Sequence, residues 1–285
     1  MKPTITIVAP GNMGAAMGAR LVDNGLEVRT SLTGRSAASA ARANAAGMRA
    51  VEGEDLVDVD LFLSVLPPGD AIRLAKDMAA LIRGRARRPA YIDCNAVSPA
   101  TVAEIAKIMA EAGAPFIDGG IIGLPPREGH AGPRLYVSGS EAHRAAVLNA
   151  FGLEAPVLDG PVGAASALKM SYAGITKGIN AIGTAMVLAA ERAGAGAALR
   201  AEMAGSIPNV LDGFGRSMPN SFDKAYRWVA EMNEIAAFAG DDDSGADIFR
   251  AIAELYGTIA KDRAGPQDKT GALMAFLRKP LPPKA

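Results

Sequence analysis

Thr4-Ile5-Thr6-Ile7-Val8-Ala9-Pro10-Gly11-Asn12-Met13-Gly14 stands near the start of the chain, and its reading decides the fold. Thr4 to Ala9 is short, β-branched and bounded by turn residues, the pattern of a buried strand. Pro10 to Gly14 is the turn. Ala15 to Asn24 follows as a helix, with Met17, Gly18, Leu21 and Val22 at packing positions, and Gly25 stops it. Leu26 to Ser31 reads as a second strand. Strand, glycine turn, helix and strand together have the length of a crossover that binds a dinucleotide. The turn keeps the second and third glycines of G-x-G-x-x-G as Gly11 and Gly14 and puts Ala9 at the first. The second glycine lets backbone approach a pyrophosphate, and the third lets helix and strand pack closely. A small Cβ at Ala9 is tolerated if φ stays negative. Ala9, Pro10, Gly11, Asn12, Met13 and Gly14 are therefore the candidate phosphate cradle. The alternative is a glycine-rich loop kept for packing alone.

Leu32-Thr33-Gly34-Arg35-Ser36 follows the second strand. A site for NAD usually has an acidic residue here for the ribose 2′-hydroxyl, whereas a 2′-phosphate calls for arginine. Arg35 stands at about the required separation of 20 residues past the glycines. No Asp or Glu lies between Arg29 and Arg49. Arg35 and Ser36 are therefore candidates for NADP, with NAD as the alternative cofactor and a solvated helix-start arginine as the alternative role.

Further strands and helices alternate. Asp60 to Leu66 is a strand into Pro67-Pro68-Gly69-Asp70, and Ala71 to Ile82 a helix. Ala90 to Cys94 is a strand into Asn95-Ala96-Val97, where Ser98 caps a helix with Pro99 at its first position. Pro115 to Asp118 is a strand into a loop at Gly119–Gly123, and Leu135–Ser138 and Ala155–Leu158 are short later strands flanking a helix from Glu141 to Phe151. This alternation indicates a mostly parallel sheet covered on both faces, with ligands beyond the carboxyl ends of the strands. The loops at Pro67-Pro68, Asn95–Ser98 and Gly119–Gly123 leave such ends and should converge on one cleft.

After Gly160-Pro161 no strand-like run appears. Val162 to Gly194 reads as one long helix, with Ser166, Lys169, Ala173, Thr176, Asn180 and Thr184 as a polar seam at helical spacing in a mostly apolar surface. Helical stretches follow near 197–210, 222–239, 246–260 and 270–277. Asp241-Asp242-Asp243-Ser244 reads as a polar helix-start loop and Pro280 to Pro283 as a frayed tail. The expected organisation is a doubly wound α/β domain over 1–161 and an all-helical domain over 162–285, joined by the long helix.

Composition excludes several classes. Thirty basic residues balance thirty acidic ones, which gives no long-range attraction to nucleic acid or an anionic membrane. One cysteine, Cys94, and two histidines rule out an intramolecular disulfide and argue against a metal site built of such residues. Cys94 reads as packing, since no histidine is placed by sequence to activate it. No apolar run reaches membrane-spanning length and no signal-peptide core is present, so a cytoplasmic protein is expected. A helical domain with many apolar positions is expected to cover them with a second copy of the chain as a homodimer.

Gly11-Asn12-Met13-Gly14, Leu66-Pro67-Pro68, Asp93-Cys94-Asn95-Ala96-Val97-Ser98-Pro99 and Gly163 to Lys169, taken together and in order, resemble the β-hydroxyacid dehydrogenases. That family includes 3-hydroxyisobutyrate dehydrogenase, 6-phosphogluconate dehydrogenase and related imine reductases. The stretch Lys169 to Gly178 is similar to a 6-phosphogluconate-dehydrogenase-like branch with a C-terminal domain of unknown function. The resemblance implies a Rossmann-type first domain and hydride transfer between NADP(H) and a hydroxy or keto acid or related alcohol. It implies Lys169 as general acid and base, because burial brings a lysine toward neutrality, where proton transfer is most efficient. It points to Leu66, Pro67, Pro68 and Asn95 around the nicotinamide, and to Ser98, Asn95 and Tyr172 around a small-molecule substrate. Tyr172 has buried packing as its alternative, and His130 and Arg134 are weaker candidates for an anionic substrate. Lys177, two turns past Lys169, reads as structural. Two positions depart from the family. Ala173 stands where a substrate-binding asparagine follows the lysine, and Ile121-Ile122-Gly123-Leu124 stands where a serine–glycine–glycine holds a carboxylate. An imine reductase or a non-catalytic NADP-binding protein are the alternative functions. Imine reductases often carry Asp or Tyr at the lysine's place.

Overall fold

The computed structural model describes residues 2–130, 132–240 and 244–278. They fall into two compact units, Met1–Met170 and Ser171–Ala285, so the division lies inside the long helix and not ahead of it.

In the first unit, β1 (Ile5–Val8) is wholly buried, and α1 (Asn12–Asp23) begins within the turn, at Asn12 and not at Ala15. β2 (Val28–Thr30), α2 (Ala37–Ala45) and a two-residue β3 (Arg49–Ala50), for which the sequence has no strand signal, come next. β4 (Leu61–Ser64), α3 (Ala71–Ile82), β5 (Ala90–Asp93) and α4 (Pro99–Glu111) repeat the alternation. β6 (Phe116–Ile122) and β7 (Arg134–Ser138) close it. The strand order is β3-β2-β1-β4-β5-β6-β7. Every neighbouring pair is parallel except β6 with β7. The order reverses between β1 and β4, which is the switch point where such sheets leave a crevice.

Successive side chains alternate between two cores. Ile5 and Ile7 join Met17, Leu21 and Ile117 on one face, whereas Val8 joins Phe62, Met78 and Ile105 on the other. Burying each such side chain contributes about 1.5–3 kcal/mol, and apolar residues on both faces are what a parallel sheet covered by helices requires.

Three local expectations are corrected. Gly119 to Ile122 is strand and not loop: β6 runs past the last residue of β5 and pairs there with β7, from Gly119↔Val137 to Ile122↔Arg134. Gly123, at φ +125°, ends it. The helix after β7 is a 3-10 helix, Ala142–Phe151. Ala155–Leu158 makes only an isolated bridge at Val157.

α5 (Ala164–Arg192) begins in the first unit and continues into the second. It has the length and hydropathy of a membrane-crossing helix, against the expectation from sequence, but half of its apolar window is buried within the fold, as in a core helix. Much of its polar seam is buried and part of its apolar surface is not. Ser166, Asn180 and Thr184 are buried, whereas Ile175, Ile182 and Met186 are 64%, 59% and 57% exposed. The buried polar groups have partners: Asn180 donates to the Tyr256 hydroxyl and accepts from Ser217, and Thr184 donates to the Asn180 carbonyl.

The second unit continues with α6 (Gly196–Ser206), α7 (Pro208–Phe222), α8 (Ala225–Ala239), α9 (Ser244–Ala264) and α10 (Asp268–Arg278). Its core holds Phe214, Met218, Met232, Ile252, Tyr256 and Phe276. Trp228 is half-buried and meets Tyr256 edge-on at 5.0 Å. Lys177 pairs with Glu231 and lies over the Trp228 ring, which is the structural role expected of it. Asp241–Asp243 and the Pro280–Pro283 tail lie outside the described residues.

Candidate active site

The turn after β1 is built as a cradle. Gly11 is the N-cap of α1 in extended conformation (φ −71°, ψ −172°), and no side chain caps the helix. The first N–H groups of a helix have no partner within it. α2 and α4 differ, because the Ser36 and Ser98 hydroxyls accept from Ser39 N and Thr101 N respectively. A Cβ on Gly11 would meet nothing within 4 Å, so space is open beside the uncapped N–H groups. A Cβ on Gly14 would overlap the Ala9 carbonyl oxygen, so Gly14 is what lets α1 lie against β1. Ala9 keeps a negative φ: Gln267 is the one non-glycine among the described residues with a positive one. Anions are favoured at such a terminus by the N–H groups and the helix dipole.

Arg35 ends the loop after β2, directly before the Ser36 cap of α2. It is half-buried, its Nε is buried without an acceptor, and no acidic residue pairs with it among the described residues. A guanidinium is always charged, so a group in this state suits an anion supplied from outside the chain. Sequence reasoning missed Arg42, whose Nε donates to the Pro10 carbonyl at 3.3 Å and whose Nη2 donates to Ser39 Oγ at 2.9 Å. It braces the turn from α2. Its place near the end of the short helix that Arg35 and Ser36 lead into was the available signal.

At the ends of β4 and β5 the side chains are used by the scaffold. Asn95 is buried; its Oδ1 accepts from Leu66 N, and its amide donates to Ser64 Oγ and Asp93 Oδ2, both at 2.8 Å. Both amide hydrogens are therefore committed, and Asn95 ties β4 to β5 with no N–H left for a ligand. Asp93 is fully buried, and burial pushes its carboxyl up to about 7 against the opposing bonds from Asn95. Pro67 is exposed and Pro68 begins a 3-10 turn into α3, so the Leu66-Pro67-Pro68 edge stands open beside the turn after β1. Ser98 is buried at the start of α4. Cys94 is buried, and burial pushes its thiol well up, as packing requires.

Lys169 lies on the second turn of α5 and is half-buried. β6 receives the start of α5. Asp118 Oδ2 accepts from Gly163 N and Ala165 N, both at 2.9 Å, and from Ser166 N at 3.1 Å, while Oδ1 accepts from Ser166 Oγ at 2.6 Å. Asp118 was not among the candidates from sequence. Tyr172 is 51% exposed and belongs to the second unit, so buried packing does not describe it. Arg134 pairs with Glu154 at 2.8 Å, and His130 lies in a loop whose backbone carbonyl accepts from Arg20. No cluster of His, Cys, Asp and Glu among the described residues could hold a metal ion.

Two family models match the sequence. Residues 4–158 match the NAD binding domain of 6-phosphogluconate dehydrogenase, and residues 190–259 match a domain of unknown function, DUF1932. An uncharacterised 28.5 kDa protein from Methanothermus fervidus is 33% identical over 159 residues, 55% of this chain and 59% of that protein. The conserved protein MTH1747, of unknown function and described as structurally similar to 3-hydroxyacid dehydrogenases, is 26% identical with a TM-score of 0.68, over 92% of this chain and 98% of that one. The 3-hydroxyisobutyrate dehydrogenase of Mycobacterium tuberculosis is 23% identical, with a TM-score of 0.70 over 98% of this chain and 100% of that one; the likeness is one of fold.

Proposed function

The chain belongs to the family defined by the NAD binding domain of 6-phosphogluconate dehydrogenase, and from that premise we propose that it is an NADP-linked dehydrogenase or reductase acting on a hydroxy or keto acid or a related alcohol. The observation that carries this reading is the uncapped start of α1 at the sheet's switch point, with open space at Gly11. A pyrophosphate there would take the α1 N–H groups, and a 2′-phosphate would take Arg35 with Ser36 at the start of α2. The nicotinamide half would extend along the carboxyl edge past Leu66, Pro67 and Pro68.

When bound, the nicotinamide supplies the hydride or accepts it. The chain supplies the proton transfer. In reduction, Lys169 Nζ donates a proton to the oxygen of the substrate carbonyl. In oxidation it removes the hydroxyl proton. Ser98 and Asn95 act in this reading by fixing the ends of β4, β5 and α4 beside the reacting groups, with Asn95 as scaffold. The reading is tested by following NADPH absorbance against a panel of 2- and 3-keto acids and, separately, cyclic imines. Turnover of a keto acid supports it. Turnover of imines alone would transfer the chain to the reductase alternative, and turnover of neither, with cofactor bound, would leave a binding protein.

Arg35→Ala is expected to weaken NADPH binding and leave NADH binding within about twofold. A charge-assisted bond of this type is worth about 1.5–3 kcal/mol, roughly ten- to a hundredfold in Kd. Equal loss for both cofactors would make Arg35 incidental to the choice between them.

A homodimer is part of the same proposal. The exposed α5 face continues into an apolar cavity of about 290 Å³ lined by Ile182, Met186, Met203, Ile207, Val210 and Phe214. Such a face is suited to burial against a second copy. Light scattering at micromolar concentration is expected to return twice the chain mass of 29.2 kDa; a monomer mass would contradict it.

A further inference from the structure

We propose that Asp118 is a positioning residue for Lys169, and that with Gly120 it fixes both the start and the rotation of α5. The proposal rests on the acid–base reading of Lys169 for its functional meaning. Its structural content stands separately.

Asp118 and Gly120 are two apart on β6, so they present to the same face of the sheet. Pro161, Val162, Gly163 and Ala164, which lead into α5, carry no side-chain acceptor, so the helix cannot cap itself as α2 and α4 do. Asp118 does it from β6. Its buried carboxylate takes three backbone N–H groups and the Ser166 hydroxyl. Ser138, paired with Asp118 across β6 and β7, donates to Oδ2 at 2.9 Å and accepts from Ala165 N at 3.0 Å. One carboxylate thus joins β6, β7 and α5.

Gly120 supplies the second point. A Cβ there would lie 2.6 Å from the Ala165 carbonyl oxygen and 3.1 Å from Lys169 Cβ, so the bare backbone is what admits the second turn of α5. Ser166 and Lys169, three apart, lie on one face of that helix. One anchor sets where a helix starts, but leaves it free to roll. Contacts at residues 166 and 169 against strand residues 118 and 120 remove that freedom and aim the Lys169 side chain.

The test uses readouts that need no substrate. In Asp118→Asn, and in the milder Ser166→Ala, which keeps the carboxylate, amide hydrogen exchange is followed at Gly163, Ala165 and Ser166. Labelling of Lys169 by acetic anhydride is followed across pH by mass spectrometry, and NADPH binding by fluorescence. In Asp118→Asn the three amides are expected to exchange roughly tenfold faster or more, and the Lys169 labelling midpoint to move by about 0.5 or more on the pH scale. NADPH affinity is expected to stay within about threefold, because the cradle on α1 is untouched. Ser166→Ala is expected to move the labelling midpoint in the same direction by less. Amides that open while the Lys169 labelling profile stays unchanged in both variants would show that Asp118 only caps the helix, and unchanged amides would show that it does not even do that. Either result overturns the proposal. If Lys169→Ala left turnover intact, the acid–base reading would fall, and the exchange and labelling comparison would still decide the role of Asp118.

Discussion

Lys169→Ala is expected to lower kcat by about a hundred- to ten-thousandfold, the range that a positioned general acid or base contributes. The substitution is a clean one. Alanine keeps the Cβ that packs against Gly120, so the seat of α5 on β6 is preserved. The Asp118 bonds to Gly163, Ala165 and Ser166 involve no atom of Lys169. The α1 cradle belongs to another part of the carboxyl edge, so NADPH Kd is expected to stay within about threefold. The same Tm and the same cofactor affinity with turnover lost would place the defect in proton transfer. Unchanged turnover would remove Lys169 from the mechanism.

The second large effect separates the two glycines of the turn. Gly14→Ala drives a Cβ into the Ala9 carbonyl oxygen, a backbone atom that cannot swing aside. Overpacking of this type costs about 3 kcal/mol, and for a unit of this size roughly 6–12 °C in Tm. Cofactor binding is expected to go with it, because α1 must move off β1. Gly11→Ala is the contrast. Its backbone is extended and its Cβ would point into open space, so the fold should be unaffected. That same space is where backbone must approach a pyrophosphate, so binding should fall at least about tenfold with Tm unchanged. Loss of stability in both variants, or of neither binding nor stability in Gly11→Ala, would contradict the cradle.

Much of the first unit was legible because its signals are local. The β-branched run before Pro10 and the Ser98-Pro99 start of α4 each carry their own physical reason, and each appears as read; the glycine turn does too in outline, though α1 starts three residues early. What escaped depends on partners far along the chain. Gly119 to Ile122 reads as a loop because glycine weakens strands, yet β7 supplies its ladder. α7 contains Pro208, Gly213, Gly215 and Pro219, a poor helix by propensity, and burial of Leu211, Phe214, Met218 and Phe222 overrides it. The polar seam of α5 was legible from its spacing, but its partners were not: Tyr256 and Ser217 bond Asn180 and bury it.

The candidate site divides the same way. The glycine turn and Arg35 are candidates on spacing. Lys169 came with the family resemblance. That Asn95 is consumed by Leu66, Ser64 and Asp93 depends on two strands meeting in register, and that Asp118 caps a helix 45 residues later depends on where the chain returns to β6 after β7. Neither relation is written in local sequence.

The central claim is that the α1 turn and Arg35 hold NADP, and titration of the unmodified chain with NADPH and NADH, followed by fluorescence, tests it most directly. The account predicts binding of both, with NADPH tighter by roughly tenfold or more. No binding of either cofactor would mean that the Ala9-Pro10 turn is a packing loop, and the oxidoreductase reading would fall with it.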